Sequence, residues 1–252
     1  MGLTHLSIII SGSKILFSVH QDESLLNQSE FTFSNEEQQK EELENHIVKH
    51  SFLSRGYDEY LLSFSSNKST LVPNNIFAES SAKAIHKLCF GPLTEHNDVD
   101  YNRIAEVGVV NVFEIPSWIK RFFILKYPRV NIQHEGSYIV RKMLDKNSFK
   151  LKATISLHSN YFQFAIVKHS KLEFFSFFDF QNDEDILYHL LFVLQQKEFT
   201  DEKGTIEFIG SSEGNAELIQ KLEKNILRIK ELNQIKIDKT ELYIQKAQIL
   251  CV

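Results

Sequence analysis

The chain repeats itself. Leu6–Glu37 aligns without a gap on residues 153–184, at an offset of 147 residues (Phe31 to Phe178). Phe31, Phe33, Asn35 and Glu37 fall on Phe178, Phe180, Asn182 and Glu184; Ile8, Phe17, Val19 and Leu25 fall on Ile155, Phe164, Ile166 and Leu172. A long internal repeat means that one supersecondary unit is built twice, and this settles the architecture before any single residue does. The second copy is the easier to parse. Phe149 to Gln196 reads as three apolar-rich strands joined by tight turns and followed by one long helix.

The first copy follows the same plan. Leu3–Ile10 and Lys14–His20 form a hairpin around Ser11-Gly12-Ser13, and a third strand ends at Phe33. Asn35 is placed to cap a helix, with Gln38 three residues on and Glu36 and Glu37 in its first turn. Tyr57–Phe64 reads as a buried strand, and Leu71-Val72-Pro73 leads into a helix carrying Ile76, Phe77, Ile85 and Leu88. Each repeat is thus strand–strand–strand–helix–strand–helix. Cys89–Asp100, with Gly91-Pro92 and the polar run TEHND, reads as a linker. Beyond it, Glu106–Ile115 is a strand, Trp118, Phe122 and Leu125 form a helical stripe, Arg129–His134 is a strand and Ser137–Leu144 a helix. This block, residues 101–146, is expected to be a subdomain inserted in the first lobe, residues 1–147; residues 148–252 form the second lobe. There, Asn182 caps a helix, Gly204–Ile209 is a strand and Asn215–Lys230 a helix; Ile235–Val252 is an apolar tail.

Composition narrows the class. Of 252 residues 42% are hydrophobic, enough for a large core. A net charge of −5 argues against a nucleic-acid partner, which requires a basic face. Two cysteines without a CxxC spacing, and no signal peptide, fit a reducing cytoplasm. No apolar run approaches the ~20 residues that span a bilayer. Nine glycines, against a usual share near 7%, count against glycine-rich phosphate loops.

Several motifs carry chemistry elsewhere and have a plainer reading here. Gly210-Ser211-Ser212-Glu213-Gly214 matches the G-x-S-x-G elbow of α/β-hydrolases, with Ser212 as nucleophile. That order requires a histidine after the serine, and the last one is His189, so a strand-to-helix turn is the preferred reading. His46 and His50 have zinc-sharing spacing without the glutamate of HExxH, which makes them a helix face. Asp183, Glu184 and Asp185 complement a helix N-terminus. Phe174, Phe175, Phe177 and Phe178 place aromatics on both faces of one strand, which calls for a covering helix or a docking surface.

The duplicated unit resembles the ribonuclease-H-like unit of the actin-like ATPases, an α/β two-lobed fold in which each repeat is β-β-β-α-β-α with a mixed sheet. Ala153–Leu172, ATISLHSNYFQFAIVKHSKL, is similar to the ALVDIG…LNVVRDGKL pattern of the PilM and FtsA group, and Ile206–Ser211 resembles its adenosine loop. TLVPNNIF (70–77) and VVNVFEIP (109–116) resemble a Bacteroidota family of unknown function with an actin-like fold, over nearly the whole chain.

The resemblance implies two Asp-x-Gly turns around the β- and γ-phosphates, the carboxylates organising Mg²⁺. Their positions read Ile9-Ile10-Ser11 and Ser156-Leu157-His158, and only Gly210 remains of the adenosine loop. The candidate cleft residues are accordingly Ser11, Gly12, Ser13, Ser156, His158, Ser159, Asn160, Gly210, Ser211 and Ser212. The expectation is a cytoplasmic, non-catalytic binding or scaffold module with an unidentified protein partner and no cofactor. The alternative is an ATP-binding switch or weak ATPase, for which ATP and Mg²⁺ would be the ligands.

Overall fold

The computed structural model describes residues 2–33, 38–144, 150–199, 204–210, 215–226, 232–238 and 240–249. The chain divides into two compact units, one of Met1–Tyr138 with Ile244–Val252 and one of Ile139–Tyr243. The expected division at 147/148 is thus replaced by crossings at 138/139 and 243/244.

In the first unit β1 (Thr4–Ser11), β2 (Lys14–Gln21) and β3 (Ser24–Thr32) form an antiparallel meander. Helix α1 (Gln39–Lys49) follows, then β4 (Glu59–Phe64), parallel to β1. Asn35, the expected cap, and the acidic Glu36 and Glu37 lie outside the described residues, and Gln38, its expected capping-box partner, makes no side-chain cap at the helix start. β1 and β2 are buried along almost their whole length because both sheet faces are covered, which is why they read as continuous apolar runs. Leu6, Ile8 and Ile10 enter a core with Phe17, Leu43, Ile47 and Leu62.

The second unit repeats this with β9 (Leu151–Leu157), β10 (Tyr161–Lys168), β11 (Lys171–Asp179), α5 (Asp183–Gln196) and β12 (Gly204–Ile209). β2 and β3 map onto β10 and β11 at the same offset, end to end. The irregularities are duplicated as well. A bulge interrupts the pairing between Val19 and His20 and again between Ile166 and Val167. Asp22 (φ 51°) and its counterpart His169 (φ 49°) both adopt the left-handed conformation in the following turn. The Phe33 N–H donates to Ser13 O at 2.9 Å, and the Phe180 N–H to Asn160 O at 3.2 Å.

Each sheet is completed by a fifth strand, and here the structure corrects the sequence reading. The orders are β3-β2-β1-β4-β8 and β11-β10-β9-β12-β13, with β8 (Asn131–His134) and β13 (Leu232–Asp238) in equivalent places. β8 therefore belongs to the repeat and not to the inserted block. So does α3 (Ser117–Lys126), whose Ile119, Phe122 and Phe123 pack into the first core as Leu218, Ile219 and Leu222 of α6 (Ala216–Ile226) pack into the second. Leu125, expected in the buried stripe, is 79% exposed. The insertion lies earlier than 101–146. It consists of β5 (Ser69–Pro73), α2 (Ala82–Phe90), β6 (Asn97–Ile104) and β7 (Val109–Pro116), with strand order β5-β7-β6. Its own small core contains Phe77, Ala82, Val99, Val110 and Val112. The stretch read as a linker ends inside β6, whose polar residues pair with β7. Helices α4 (Glu135–Met143) and α7 (Thr240–Ile249) follow β8 and β13.

Candidate functional site

In an open α/β sheet, ligands gather at the carboxyl ends of the parallel strands. In the first unit these are the ends of β1, β4 and β8. Ser11 closes β1, and Gly12 (φ 56°) and Ser13 form a two-residue turn, with Ser11 opposite Lys14. A Cβ at Gly12 would meet nothing within 4 Å, so its backbone conformation and not crowding selects glycine. Ile9 and Ile10 are buried in the sheet, leaving no carboxylate at this turn.

Beside it stands a polar cluster that the sequence reading missed. The Ser65 N–H donates to Ile10 O at 3.0 Å, and the Ser65 hydroxyl donates to Glu135 Oε2. Glu135 begins α4, is 1% exposed, and complements the positive end of that helix. His134 is held on both ring nitrogens. Gly136 N–H donates to Nδ1 at 3.0 Å, leaving the ring proton on Nε2 to donate to Ser66 O at 2.8 Å. The signal in the sequence was a histidine and a glutamate at a strand-to-helix junction. The sequence hides it because β8 reads there as part of the inserted block.

In the second unit the ends of β9 and β12 bring Ser156, His158, Ser159, Asn160 and Gly210 together. Ser156 is fully buried and pairs with Gln163 on one side and Ile209 on the other. The His158 N–H donates to Tyr161 O at 2.9 Å, and the two rings stack at 4.4 Å. Ser159 and Asn160 form an exposed two-residue turn equivalent to Gly12 and Ser13. Gly210 has a packing reason to be glycine: a Cβ there would lie 2.9 Å from Phe208 Cε1 and 3.5 Å from Leu157 Cβ. Ser211 and Ser212 lie outside the described residues, and with them the G-x-S-x-G turn.

The remaining motifs have local partners. His46 Nε2 lies 3.2 Å from Ser29 Oγ, with its ring against Phe17 and Phe31; burial, with His50 and Lys49 nearby, lowers its pKa to about 4. Asn182 Oδ1 caps α5 by accepting from the Asp185 N–H at 3.0 Å, and Lys221 reaches Glu184 at 2.9 Å and Asp183 at 3.5 Å. Glu114, the other buried carboxylate among the described residues, is ion-paired with Lys68 at 3.2 Å and lies 3.2 Å from Nε2 of His86, whose pKa burial lowers. Phe174 and Phe178 face the second core, while Phe175 and Phe177 form an edge-to-face pair 5.3 Å apart on the other side of β11. Among the described residues no group of three or more His, Cys, Asp or Glu could hold a metal ion. No helix among them is long and apolar enough to cross a membrane.

Residues 2–229 match the family described as "Protein of unknown function (DUF3822)". The chain belongs to this family. No curated protein matches it. Among solved structures, a Bacteroides thetaiotaomicron protein with an actin-like ATPase fold and unknown function is 21% identical, with a TM-score of 0.81 over 100% of this chain and 97% of its own. The structure of the PilM–PilN type IV pilus biogenesis complex offers a chain 10% identical, with a TM-score of 0.55 over 98% of each. The DUF3822 chain thus has the actin-like ATPase fold, and each of its units contains one copy of the repeated sheet.

Proposed function

We propose that this protein is a non-catalytic actin-like scaffold that binds a protein partner and does not use Mg²⁺·ATP. The observation that carries the reading is the pair of equivalent turns, Ile9–Ser13 and Ser156–Asn160. Neither has a carboxylate to organise a metal, and neither has a glycine at the third position of the Asp-x-Gly pattern. Without the carboxylate, Mg²⁺ loses its protein anchor; with a side chain at the third position, the backbone N–H groups cannot approach a phosphate as closely. Fold alone does not fix activity, and on this reading the lobes serve packing and partner recognition. A protein of the same fold, PilM, occurs in a complex with PilN. Two cysteines in 252 residues, with Cys89 free and exposed, favour a cytoplasmic setting.

The competing reading is a nucleotide switch. It draws on Glu135, a buried carboxylate beside the Ser11 turn that could face a phosphate-bound cation. Thermal unfolding with ATP, ADP or GTP and magnesium separates the two. A nucleotide at a hundred times its dissociation constant would stabilise the fold by about 2.7 kcal/mol. For a chain of this size that raises Tm by roughly 5–10 °C. The scaffold reading expects no shift at millimolar nucleotide; a reproducible rise of several degrees, removed by Glu135→Gln, would establish the switch.

A further inference from the structure

We propose that the C-terminal half of α7 is an acid-released clasp, held on the first sheet by two buried glutamines and opened when the buried histidine pair beside their serine partners takes up protons. The clasp is built on one face of β1, β2 and β4. Leu6, Ile8 and Ile10 point into the apolar core. The alternate positions carry His5 and Ser7 on β1, Ser18 and His20 on β2, and Ser63 on β4, all buried. This is an unusual concentration of polar groups for a covered sheet face, and α7 meets the two serines beside the histidines, Ser7 and Ser18. Gln245 Nε2 donates to Ser18 Oγ at 2.9 Å, the Ser7 hydroxyl donates to Gln248 Oε1, and Gln248 Nε2 donates to Leu61 O at 3.4 Å.

His5 and His20 are directly opposite each other in the β1–β2 ladder and stack with ring centroids 5.1 Å apart and planes 7° from parallel. His20 Nε2 lies 3.1 Å from Ser18 Oγ, the same oxygen that receives Gln245. His5 Nε2 and His20 Nδ1 have no hydrogen-bond partner, although both side chains are 4% exposed. An imidazole buried in this way is tolerated while neutral. Once protonated, each unpartnered nitrogen either is or remains a donor without an acceptor, and two stacked cations repel. The relief available is to let water in, and the element that leaves is the one whose attachment is half polar, with Gln245 and Gln248 buried beside Ile244 and Ala247.

The charged groups near the pair offer little compensation. Asp22, in the turn after β2, attracts a proton on His5 but is the smallest of the three influences; burial and His20 both oppose protonation. Glu59 is opposite His5 in the β1–β4 ladder, Leu25 of β3 is opposite His20, and α7 contributes Lys246, whose charge is exposed. His5 is depressed to about 4 and His20 is lowered as well, both chiefly by burial. A histidine that returns to about 6.5 when the helix leaves, from about 4 when it is docked, favours opening by about twentyfold between pH 7 and pH 5. The sign follows from proton uptake: the open form binds more protons, so acid favours it.

Hydrogen–deuterium exchange on the full chain, corrected for intrinsic rates, tests the clasp. Between pH 7 and pH 5 the amides of 244–249 should lose protection by at least about tenfold, while Leu6–Ile10 stays protected. His5→Phe/His20→Phe keeps a stacked aromatic pair and should abolish the pH dependence without opening the helix at pH 7. If that variant does not fold, imidazole NMR on the unaltered chain reads the same event. The His5 ring should remain neutral at pH 6, and both rings should take up protons together with the loss of protection. Protection of 244–249 that is unchanged at pH 5, that falls only with the whole sheet, or that falls equally in the double variant would overturn the proposal.

Discussion

Gly210 illustrates how a residue can look functional and be explained by its neighbours. In the sequence it resembles the one remaining residue of an adenosine loop. In the structure it is the residue after β12, where the fully buried Phe208 ring leaves no space for a Cβ. Because that ring is fixed in the core, Gly210→Val should destabilise the protein by about 1–3 kcal/mol, measured as a lower urea midpoint at an unchanged slope. An unaltered midpoint would mean that the ring swings aside and that packing does not explain the glycine. Ser156 and His158 have similarly local settings, one inside the sheet and one stacked on Tyr161. Glu135 is the opposite case. Nothing in its spacing drew attention to it, since one glutamate before a glycine has no motif, and only the strand order brings it beside Ser65 and the Ser11 turn.

At the scale of elements, legibility followed the offset. The meanders, their bulges and α5 were readable because two noisy copies of one pattern reinforce each other. Asn182 was recognisable as a cap from its place before three acidic residues, and the Asp185 carboxylate answers by accepting from the Gln181 N–H at 2.8 Å. Asn182→Ala should accordingly cost about 1 kcal/mol, visible in chemical denaturation, and Asn182→Asp should cost much less. A neutral alanine variant would show that the exposed N-terminus is satisfied by water. The insertion was misplaced for a physical reason: β4 is followed by a strand–helix pair, β5 and α2, that satisfies the pattern of the repeat without joining its sheet. Periodicity records that a segment is a strand or a helix; pairing, which decides which sheet it enters, leaves no trace at that range. Helix α2 shows the same limit, since its Leu88 is 87% exposed.

For the molecule as a whole, duplication supplies an internal comparison. Phe17 and Phe164 occupy equivalent core positions, and both are fully buried. Their alanine variants should each cost about 3–5 kcal/mol. Both sheets kept this apolar frame, while both turns at the ends of β1 and β9 read without the acid and the glycine. Titration calorimetry of the intact chain with Mg²⁺·ATP addresses this most directly. The expected result is heat of dilution alone up to millimolar nucleotide. A saturable one-to-one isotherm that requires magnesium and disappears in Glu135→Gln would contradict the scaffold reading and return the protein to the working ATPases of its fold.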